Sequence, residues 1–243
     1  MKRLDLACGA NCVEGFEGVD IVKINDKVKH VVNILSFPWP FADESVDELF
    51  CSHFVEHIPM LFWTPPNSLR TDGEHTKAQN EHDWRFEDAL EPVQVSECSV
   101  ELFLRFFTEC WRILKPGGSI RVLCPHGHSD RAFQDPSHRR FLVNASWDYL
   151  DHECRRVNGL QHAAYGVACH FPIQKRHTSA SGSPEQVKAL SLIPDIVQDA
   201  AVSRYWNMVS DFDVTLTKAP IPVATPAPEK TLTPVTEQQE VTA

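Results

Sequence analysis

Short apolar runs recur along the first half of the chain, and turn-forming residues separate them. Their length and composition predict strands over residues 3–8, 18–22, 31–35 and 46–52. Residues 99–115 differ, because their apolar side chains recur at helical spacing and the sequence Lys115-Pro116-Gly117-Gly118 is a helix stop. The β-branched run over residues 119–125 predicts a strand that is buried on both faces.

The second half of the chain completes this alternating pattern. Ser183-Pro184-Glu185 is typical of a helix start, with serine as the N-cap and proline at the first helical position. Residues 166–173 and 208–216 predict a final, antiparallel pair of strands. Strands that alternate with helices predict an α/β fold, here a doubly wound, mostly parallel seven-stranded sheet with helices on both faces.

Two segments depart from the pattern. Residues 59–98 hold eight acidic and three basic residues together with four prolines, and they predict an acidic insertion that is a candidate lid. Residues 218–243 hold five prolines and five threonines without an aromatic residue, so they predict a disordered tail. We therefore expect one folded unit over residues 1–217, with the insertion inside it.

Composition narrows the range of partners. The 243 residues carry 23 Lys and Arg against 33 Asp and Glu, a formal charge of −10, which disfavours the basic footprint that nucleic acids need. No apolar run reaches the roughly 18 residues of a membrane span, and no export signal is visible, so we expect a cytoplasmic protein. In that compartment the eight cysteines are reduced thiols rather than a disulfide framework. Small molecules, saccharides or proteins are the partners that remain.

In a doubly wound sheet, ligands bind at the carboxyl ends of the strands. The turn after the first strand has one glycine, Gly9, instead of the G-x-G-x-x-G spacing that supports a pyrophosphate, so NAD is disfavoured. One glycine still allows the close backbone approach that a nucleoside without phosphate needs. Asp20 ends the second strand, where its carboxylate can accept hydrogen bonds from both hydroxyls of a ribose. The alternative is that Asp20 only caps a turn.

Five segments, in this order along the chain, resemble motifs of the class I S-adenosylmethionine-dependent methyltransferases. They are LDLACG (4–9), GVDI (18–21), PFADESVDEL (40–49), VEHI (55–58) and RILKPGG (112–118). Each motif is weak alone, but together they span most of residues 2–125. Only about ten residues join the first two strands, which predicts a stunted helix or an irregular loop there.

The resemblance implies a seven-stranded sheet and S-adenosylmethionine as the methyl donor. Asp5 and the turn after it would hold the methionine portion, Asp20 the ribose, and residues 33–35 the adenine edge. The cofactor-binding positions implied in this way are Asp5, Ala7, Cys8, Gly9, Ala10, Asp20, Ile21, Asn33, Ile34, Leu35 and Ser52. Asn33 stands where the family commonly has an aspartate, so we expect weaker binding of the adenine amino group.

Histidines are the candidates for acid–base chemistry, because their ordinary pKa of about 6.5 suits proton transfer near neutrality. The catalytic candidates are His53, His126, His128 and His138. The alternative for His53 is a packed or capping histidine. For the other three it is a solvated loop in which Asp130 and Asp135 pair with the arginines. Cys124 and the last three histidines lack the spacing of a structural zinc site, so we expect no metal.

Two functions fit the sequence. The first is transfer of a methyl group to an oxygen or nitrogen nucleophile on a small-molecule, saccharide or protein acceptor. The second is a binding or interaction module that kept the fold, and even the nucleoside site, without turnover.

Overall fold

The computed structural model describes residues 1–60, 62–63, 100–160, 167–180, 184–194, 197, 200–201 and 204–222. Seven strands form one sheet: β1 (Arg3–Leu6), β2 (Glu17–Asp20), β3 (Val28–Val31), β4 (Val46–Ser52), β7 (Leu114–Pro125), β8 (Ile173–Ala180) and β9 (Val209–Thr217). Two short strands, β5 (Phe62–Trp63) and β6 (Val100–Glu101), pair separately. The helices are α1 (Leu102–Ile113), α2 (Asn144–Asp148), α3 (His152–Val157) and α4 (Pro184–Leu190).

The main sheet has the strand order β3-β2-β1-β4-β7-β9-β8. Its first five strands run parallel, and β9 alone is reversed, pairing antiparallel with both β7 and β8. The predicted mostly parallel sheet with an antiparallel closing pair is therefore confirmed. The strand order reverses between β1 and β4, which makes the carboxyl ends of these two strands the switch point at which ligands bind in such sheets.

The core is formed by the apolar face of α1 against the central strands. Phe106 and Phe107 of α1 are fully buried, and their rings meet Trp39 and Trp147 with centroids 5.5 and 6.2 Å apart. Burying each such ring stabilises the fold by roughly 1.5–3 kcal/mol. Through Trp39, this cluster packs α1 against the loop that precedes β4.

A buried carboxylate joins α1 to that same loop. Glu109 is fully buried; its Oε1 accepts hydrogen bonds from the Trp39 amide at 2.8 Å and from Arg112 Nε at 3.0 Å. Arg105 approaches its other oxygen at 3.3 Å. Arg112 also binds Asp43 and the Phe41 carbonyl, so one helix turn holds the segment that leads into β4.

Several predicted boundaries are corrected. The third strand covers Val28–Val31 rather than 31–35, so residues 33–35 follow its carboxyl end. The predicted helix over 99–115 is shorter, because β7 starts at Leu114 rather than at residue 119. Residues 7–16 form turns without a helix, as the short connection predicted. The strand over 46–52 is confirmed at both ends, and the helix at Ser183-Pro184-Glu185 begins at Pro184.

The predicted strand over 166–173 is wrong, because the last parallel strand covers Ile173–Ala180. Residues 167–172 form an irregular segment instead, and its apolar residues Cys169 and Phe171 are fully buried in the core. Arg155 of α3 donates to the Cys169 carbonyl at 2.8 Å and holds that segment in place. The strand itself lies at the edge of the sheet and is largely polar, so its signal in the sequence is weak.

The insertion and the tail lie mostly outside the described residues, so the lid over 59–98 stays a prediction, as does the disorder of the predicted tail (218–243) beyond residue 222. The folded part extends beyond the predicted boundary at residue 217. Lys218 is buried, and its ammonium donates to the Leu114 carbonyl at 2.7 Å and approaches Glu44 at 3.1 Å. Within the described residues, no helix is both long and apolar enough to cross a membrane.

Candidate functional site

Two residues other than glycine adopt the left-handed conformation at the switch point. Ala7 follows β1 with a φ of 53°, and His53 follows β4 with a φ of 52°. Such backbone costs roughly 1–2 kcal/mol per residue and clusters at functional sites when the surrounding structure holds it. Gly9 shares this conformation with a φ of 54°, and apart from its chain neighbours no described residue has an atom within 4 Å of where its Cβ would be.

Asp20 is tied to the Gly9 turn. Its Oδ2 accepts a hydrogen bond from the Gly9 amide at 2.8 Å, and its Oδ1 accepts one from the Ile21 amide at 2.7 Å. The carboxylate is half-buried; Oδ1 also accepts from the Val22 amide at 3.4 Å, so Oδ2 is the oxygen that keeps a further lone pair for a ligand hydroxyl. Turn capping and ribose binding are thus compatible at this residue. The fold therefore brings the LDLACG (4–9) and GVDI (18–21) motifs into contact.

Gly18 explains how the turn lies so close to β2. A Cβ at this position would be 2.7 Å from Cys8 Sγ and 2.8 Å from the Lys27 carbonyl oxygen. The backbone of β2 therefore packs directly against the Cys8 side chain. This contact places Cys8 beneath the turn, with its sulfur against backbone.

Asp5 supports the turn from below. It is only 2% exposed, and its Oδ2 accepts a hydrogen bond from the Val13 amide at 2.8 Å; burial raises its pKa. Burial also raises the pKa of the Cys8 thiol to about 12, so Cys8 stays protonated and unreactive. The seven cysteines in the described part of the chain are all free, in agreement with the expected reduced thiols. Direct contact between Asp5 and a donor stays a prediction.

The remaining cofactor positions lie at the same edge of the sheet. Asn33 is exposed, and its Oδ1 accepts from the Leu35 amide at 3.0 Å, whereas Ile34 is buried. Ala10 is exposed in the first turn, and Ser52 ends β4. Ile21 is 61% exposed directly beside Asp20. The edge therefore presents an apolar side chain, on which an adenine ring can pack, next to a carboxylate.

His53 has a partner that the sequence did not indicate. Its Nδ1 lies 3.3 Å from Oε1 of Glu56, and the hydrogen bond to this carboxylate raises the pKa of His53. Glu56 is 1% exposed, whereas the His53 side chain is 44% exposed. The spacing of three residues is visible in the sequence, but the burial of Glu56 depends on the loop after β7 that covers it.

The other three candidate histidines differ in their surroundings. His126 is 2% exposed beside the Phe212 ring, and burial, together with the nearby His128 ring, lowers its pKa to about 4. Its Nδ1 accepts a hydrogen bond from the His128 amide at 3.0 Å. The His128 ring stacks at 6.2 Å on Trp206. His138 Nδ1 lies 2.8 Å from the Ala132 carbonyl oxygen. Their catalytic roles stay predictions, but only His128 and His138 are open to solvent in part.

The loop after β7 is not the arginine-paired surface that was the alternative for this segment. Asp130 accepts hydrogen bonds from Trp206 Nε1 and Asn207 Nδ2, both at 2.6 Å, and these bonds lower its pKa. Phe133 lies beside Trp206, with ring centroids 5.4 Å apart, and stacks on Phe141 at 4.3 Å. These rings are exposed on the loop after β7 and on the segment before β9, and the sequence did not single them out.

No protein-family model matches the chain, and no curated protein matches it. Solved structures are similar to it in fold. One is a SAM-dependent methyltransferase from Archaeoglobus fulgidus, with 15% identity, coverage of 89% of this chain and 86% of that one, and a TM-score of 0.44. Another, from Methanosarcina mazei, has 13% identity, coverage of 90% and 92%, and a TM-score of 0.43. A third, from Mesorhizobium loti, has 11% identity, coverage of 89% and 90%, and a TM-score of 0.42.

The sheet itself carries the assignment of the fold. Its seven strands, the switch point between β1 and β4, and the single reversed strand β9 form the sheet that the resemblance implied. The chain has the Rossmann-like fold of the class I S-adenosylmethionine-dependent methyltransferases.

Proposed function

We propose that the protein is an S-adenosylmethionine-dependent methyltransferase that acts on an oxygen or nitrogen nucleophile of a small molecule, saccharide or protein. The observation that carries this proposal is the link between Asp20 and the Gly9 turn at the switch point of the sheet. It combines a partly exposed carboxylate, an open backbone turn and the exposed Ile21 side chain. These groups fit a ribose, its neighbouring chain atoms and a purine.

The donor, when bound, supplies a methyl group that its sulfonium already activates. The residues of the chain then have to bind, orient and exclude water. Asp20 accepts the ribose hydroxyls, and the backbone at Ala7 and Gly9 lies against the amino-acid portion. Asp5 keeps that backbone in place through the Val13 amide.

His53 is the residue that would accept the acceptor's proton. Since the Glu56 carboxylate accepts from Nδ1–H of His53, the neutral ring carries its lone pair on Nε2. The left-handed backbone at His53 places this ring immediately after β4, at the switch point. A base in this position serves a hydroxyl or ammonium acceptor, which must lose a proton during transfer.

Calorimetry with S-adenosylmethionine and S-adenosylhomocysteine tests the binding half of the proposal. The wild-type protein should bind both in the micromolar range, and Asp20→Ala should weaken binding at least about tenfold, since each charge-assisted bond contributes roughly 1.5–3 kcal/mol. Asp26→Ala is the matched control, because Asp26 is a fully exposed aspartate near the same edge. Equal affinities of Asp20→Ala and wild type would refute the assignment of the ribose site.

Turnover separates an enzyme from a binding module. Transfer of a labelled methyl group to acceptors in small-molecule, saccharide and protein fractions should be detectable with the wild type. His53→Ala should reduce the rate and leave donor affinity unchanged. Donor binding without transfer to any fraction would favour the alternative of a module that keeps the nucleoside site.

A further inference from the structure

Three side chains with metal-binding groups meet beside the candidate site. Glu56 and His57 lie in a short 3-10 turn after β4, and His138 lies in the loop after β7. A carboxylate oxygen and one nitrogen from each ring all lie within 4.8 Å of one another. Among the described residues no other group of histidines, cysteines and carboxylates is this close, so the Cys124 set considered from the sequence does not assemble.

Hydrogen bonds at Nδ1 leave the Nε2 lone pairs of both rings available. His138 Nδ1 lies 2.8 Å from the Ala132 carbonyl oxygen, which only accepts, so Nδ1 carries the proton. His57 Nδ1 lies 3.1 Å from Ser137 Oγ, and that hydroxyl donates to Asp135 at 2.7 Å. Ser137 Oγ therefore accepts from His57. Donation from one ring nitrogen to an oxygen is the arrangement that orients metal-binding histidines.

Glu56 supplies the negative charge. It is 1% exposed, and its Oε2 is buried with no hydrogen-bond partner among the described residues. A buried carboxylate oxygen without a partner is unfavourable, and a bound cation would satisfy it. The amides of Arg139 and Arg140 donate to the Glu56 backbone carbonyl at 2.7 and 3.0 Å. These backbone bonds hold the loop that carries His138 over Glu56. They do not involve the side-chain carboxylate of Glu56.

We propose that Glu56, His57 and His138 bind one divalent transition-metal ion. Two imidazoles and one carboxylate suit zinc or manganese, and three protein ligands leave a coordination position open. His57 is partly exposed, whereas the His138 side chain is only 7% exposed, so this position would be reached from the side of His57. From the sequence we expected no metal, because Cys124, His126, His128 and His138 lack the spacing of a structural zinc site; His57 and Glu56 were not considered there as partners of His138. The ion would also hold an oxygen of the methyl acceptor near His53, and this second role rests on the proposed function. Metal binding itself does not depend on the proposed function.

Metal titration of the full chain tests the proposal. The protein is stripped with a chelator, desalted and titrated with Zn²⁺ in competition with a chromophoric indicator, and bound metal is counted by mass spectrometry. One ion per chain should bind at this site. His57→Ala and His138→Ala should each weaken binding by at least tenfold. His30→Ala is the matched control, since His30 also contacts a glutamate, Glu17, at 2.7 Å, but without a second imidazole, and it should bind as the wild type does.

Co²⁺ distinguishes metal bound at this site from metal bound by cysteine thiolates, and Mn²⁺ locates the bound ion. Co²⁺ bound to nitrogen and oxygen ligands gives d–d absorption without the sulfur charge-transfer band of a thiolate site. Should a variant fail to fold, as judged by circular dichroism, Mn²⁺ added to the unmodified protein should broaden the ring-proton NMR signals of His57 and His138 selectively. The proposal would be overturned by broadening that is not confined to His57 and His138. It would also be overturned if the protein with both His57→Ala and His138→Ala bound the same number of metal ions, with the same affinity, as the wild type. Asp20→Ala should weaken donor binding and leave metal binding unchanged. The experiment can therefore refute the metal site without refuting the donor site, and the reverse.

Discussion

At the scale of single residues, backbone amides determine how the carboxyl edge of the sheet is built. Asp5, Asp20 and Asn33 each accept hydrogen bonds from amides of the turns that would surround the donor. Such bonds fix the turns before any ligand arrives, and this lowers the entropy cost of binding. The side chains therefore act partly by shaping backbone, and their substitution affects both stability and affinity.

Gly18 is the position at which this construction is most sensitive to volume. Gly18→Ala should lower the free energy of unfolding by roughly 1–3 kcal/mol, because the new Cβ would overlap Cys8 Sγ and the Lys27 carbonyl oxygen. Chemical denaturation measures the change, and calorimetry should show weaker donor binding as the Gly9 turn is displaced. Gly9→Ala is the comparison, because its Cβ meets open space and only the backbone strain of about 1 kcal/mol remains. A Gly18→Ala protein as stable as the wild type would contradict the packing described here.

His126 should make stability depend on pH. Its pKa in the folded protein is about 4, below the ordinary value of 6.5, so the unfolded chain binds the proton more tightly. The stabilisation is therefore complete above about pH 6.5 and is lost as the pH falls toward 4, with a total of roughly 3 kcal/mol. Urea unfolding at several pH values should show this loss in the wild type. The difference in free energy of unfolding between the wild type and His126→Gln should become independent of pH above pH 6.5. The same substitution at the exposed His177 should leave the wild-type pH dependence intact.

At the scale of elements, α1 is joined to the loop before β4 by the buried Glu109. Glu109→Leu should lower the free energy of unfolding by roughly 3–5 kcal/mol, because Arg105 and Arg112 lose their buried partner and the Trp39 amide loses its acceptor. Glu153→Leu on α3 is the matched control; Glu153 pairs with Arg156 at the surface, and its loss should change stability far less. Equal effects of the two substitutions in denaturant titrations would show that Glu109 is not the link.

At the scale of the whole molecule, the described fold continues beyond β9 through Lys218 and Ala219, and the sequence predicts a tail without a core after it. The amide of Lys218 donates to the Gly118 carbonyl at 2.8 Å, and Trp111 Nε1 donates to the Ala219 carbonyl at 3.1 Å. The Lys218 ammonium also lies 4.2 Å from the Trp111 ring centre. These contacts hold the end of β9 against α1 and β7.

Two truncations test where the fold ends. A chain that ends at residue 222 should unfold with the same free energy as the full chain, because the sequence predicts a tail without a core. A chain that ends at residue 217 should lose roughly 2–4 kcal/mol, since it gives up the buried hydrogen bonds and the cation–π contact of Lys218. Thermal and chemical denaturation of the three chains measure the difference. Loss of stability on removing residues 223–243 would show that the tail is not dispensable.

The sequence by itself determined the features that depend on local pattern. The apolar run of β4, the helical spacing within α1, the β9 strand and the Gly9 turn with Asp20 were all predictable. Periodicity and turn residues specify these elements because the interactions that form them lie within a few residues. The resemblance of five ordered motifs then implied the fold.

Only the tertiary structure decided where distant groups meet. The burial of Glu56 and Glu109, the neighbourhood of His57 and His138, and the core position of Cys169 and Phe171 depend on segments far apart in the chain. The same is true of the polar edge strand β8, whose sequence carries little apolar signal. A side chain's burial, its pKa and its partners are properties of the packed neighbourhood, and no local pattern encodes which loop will cover it.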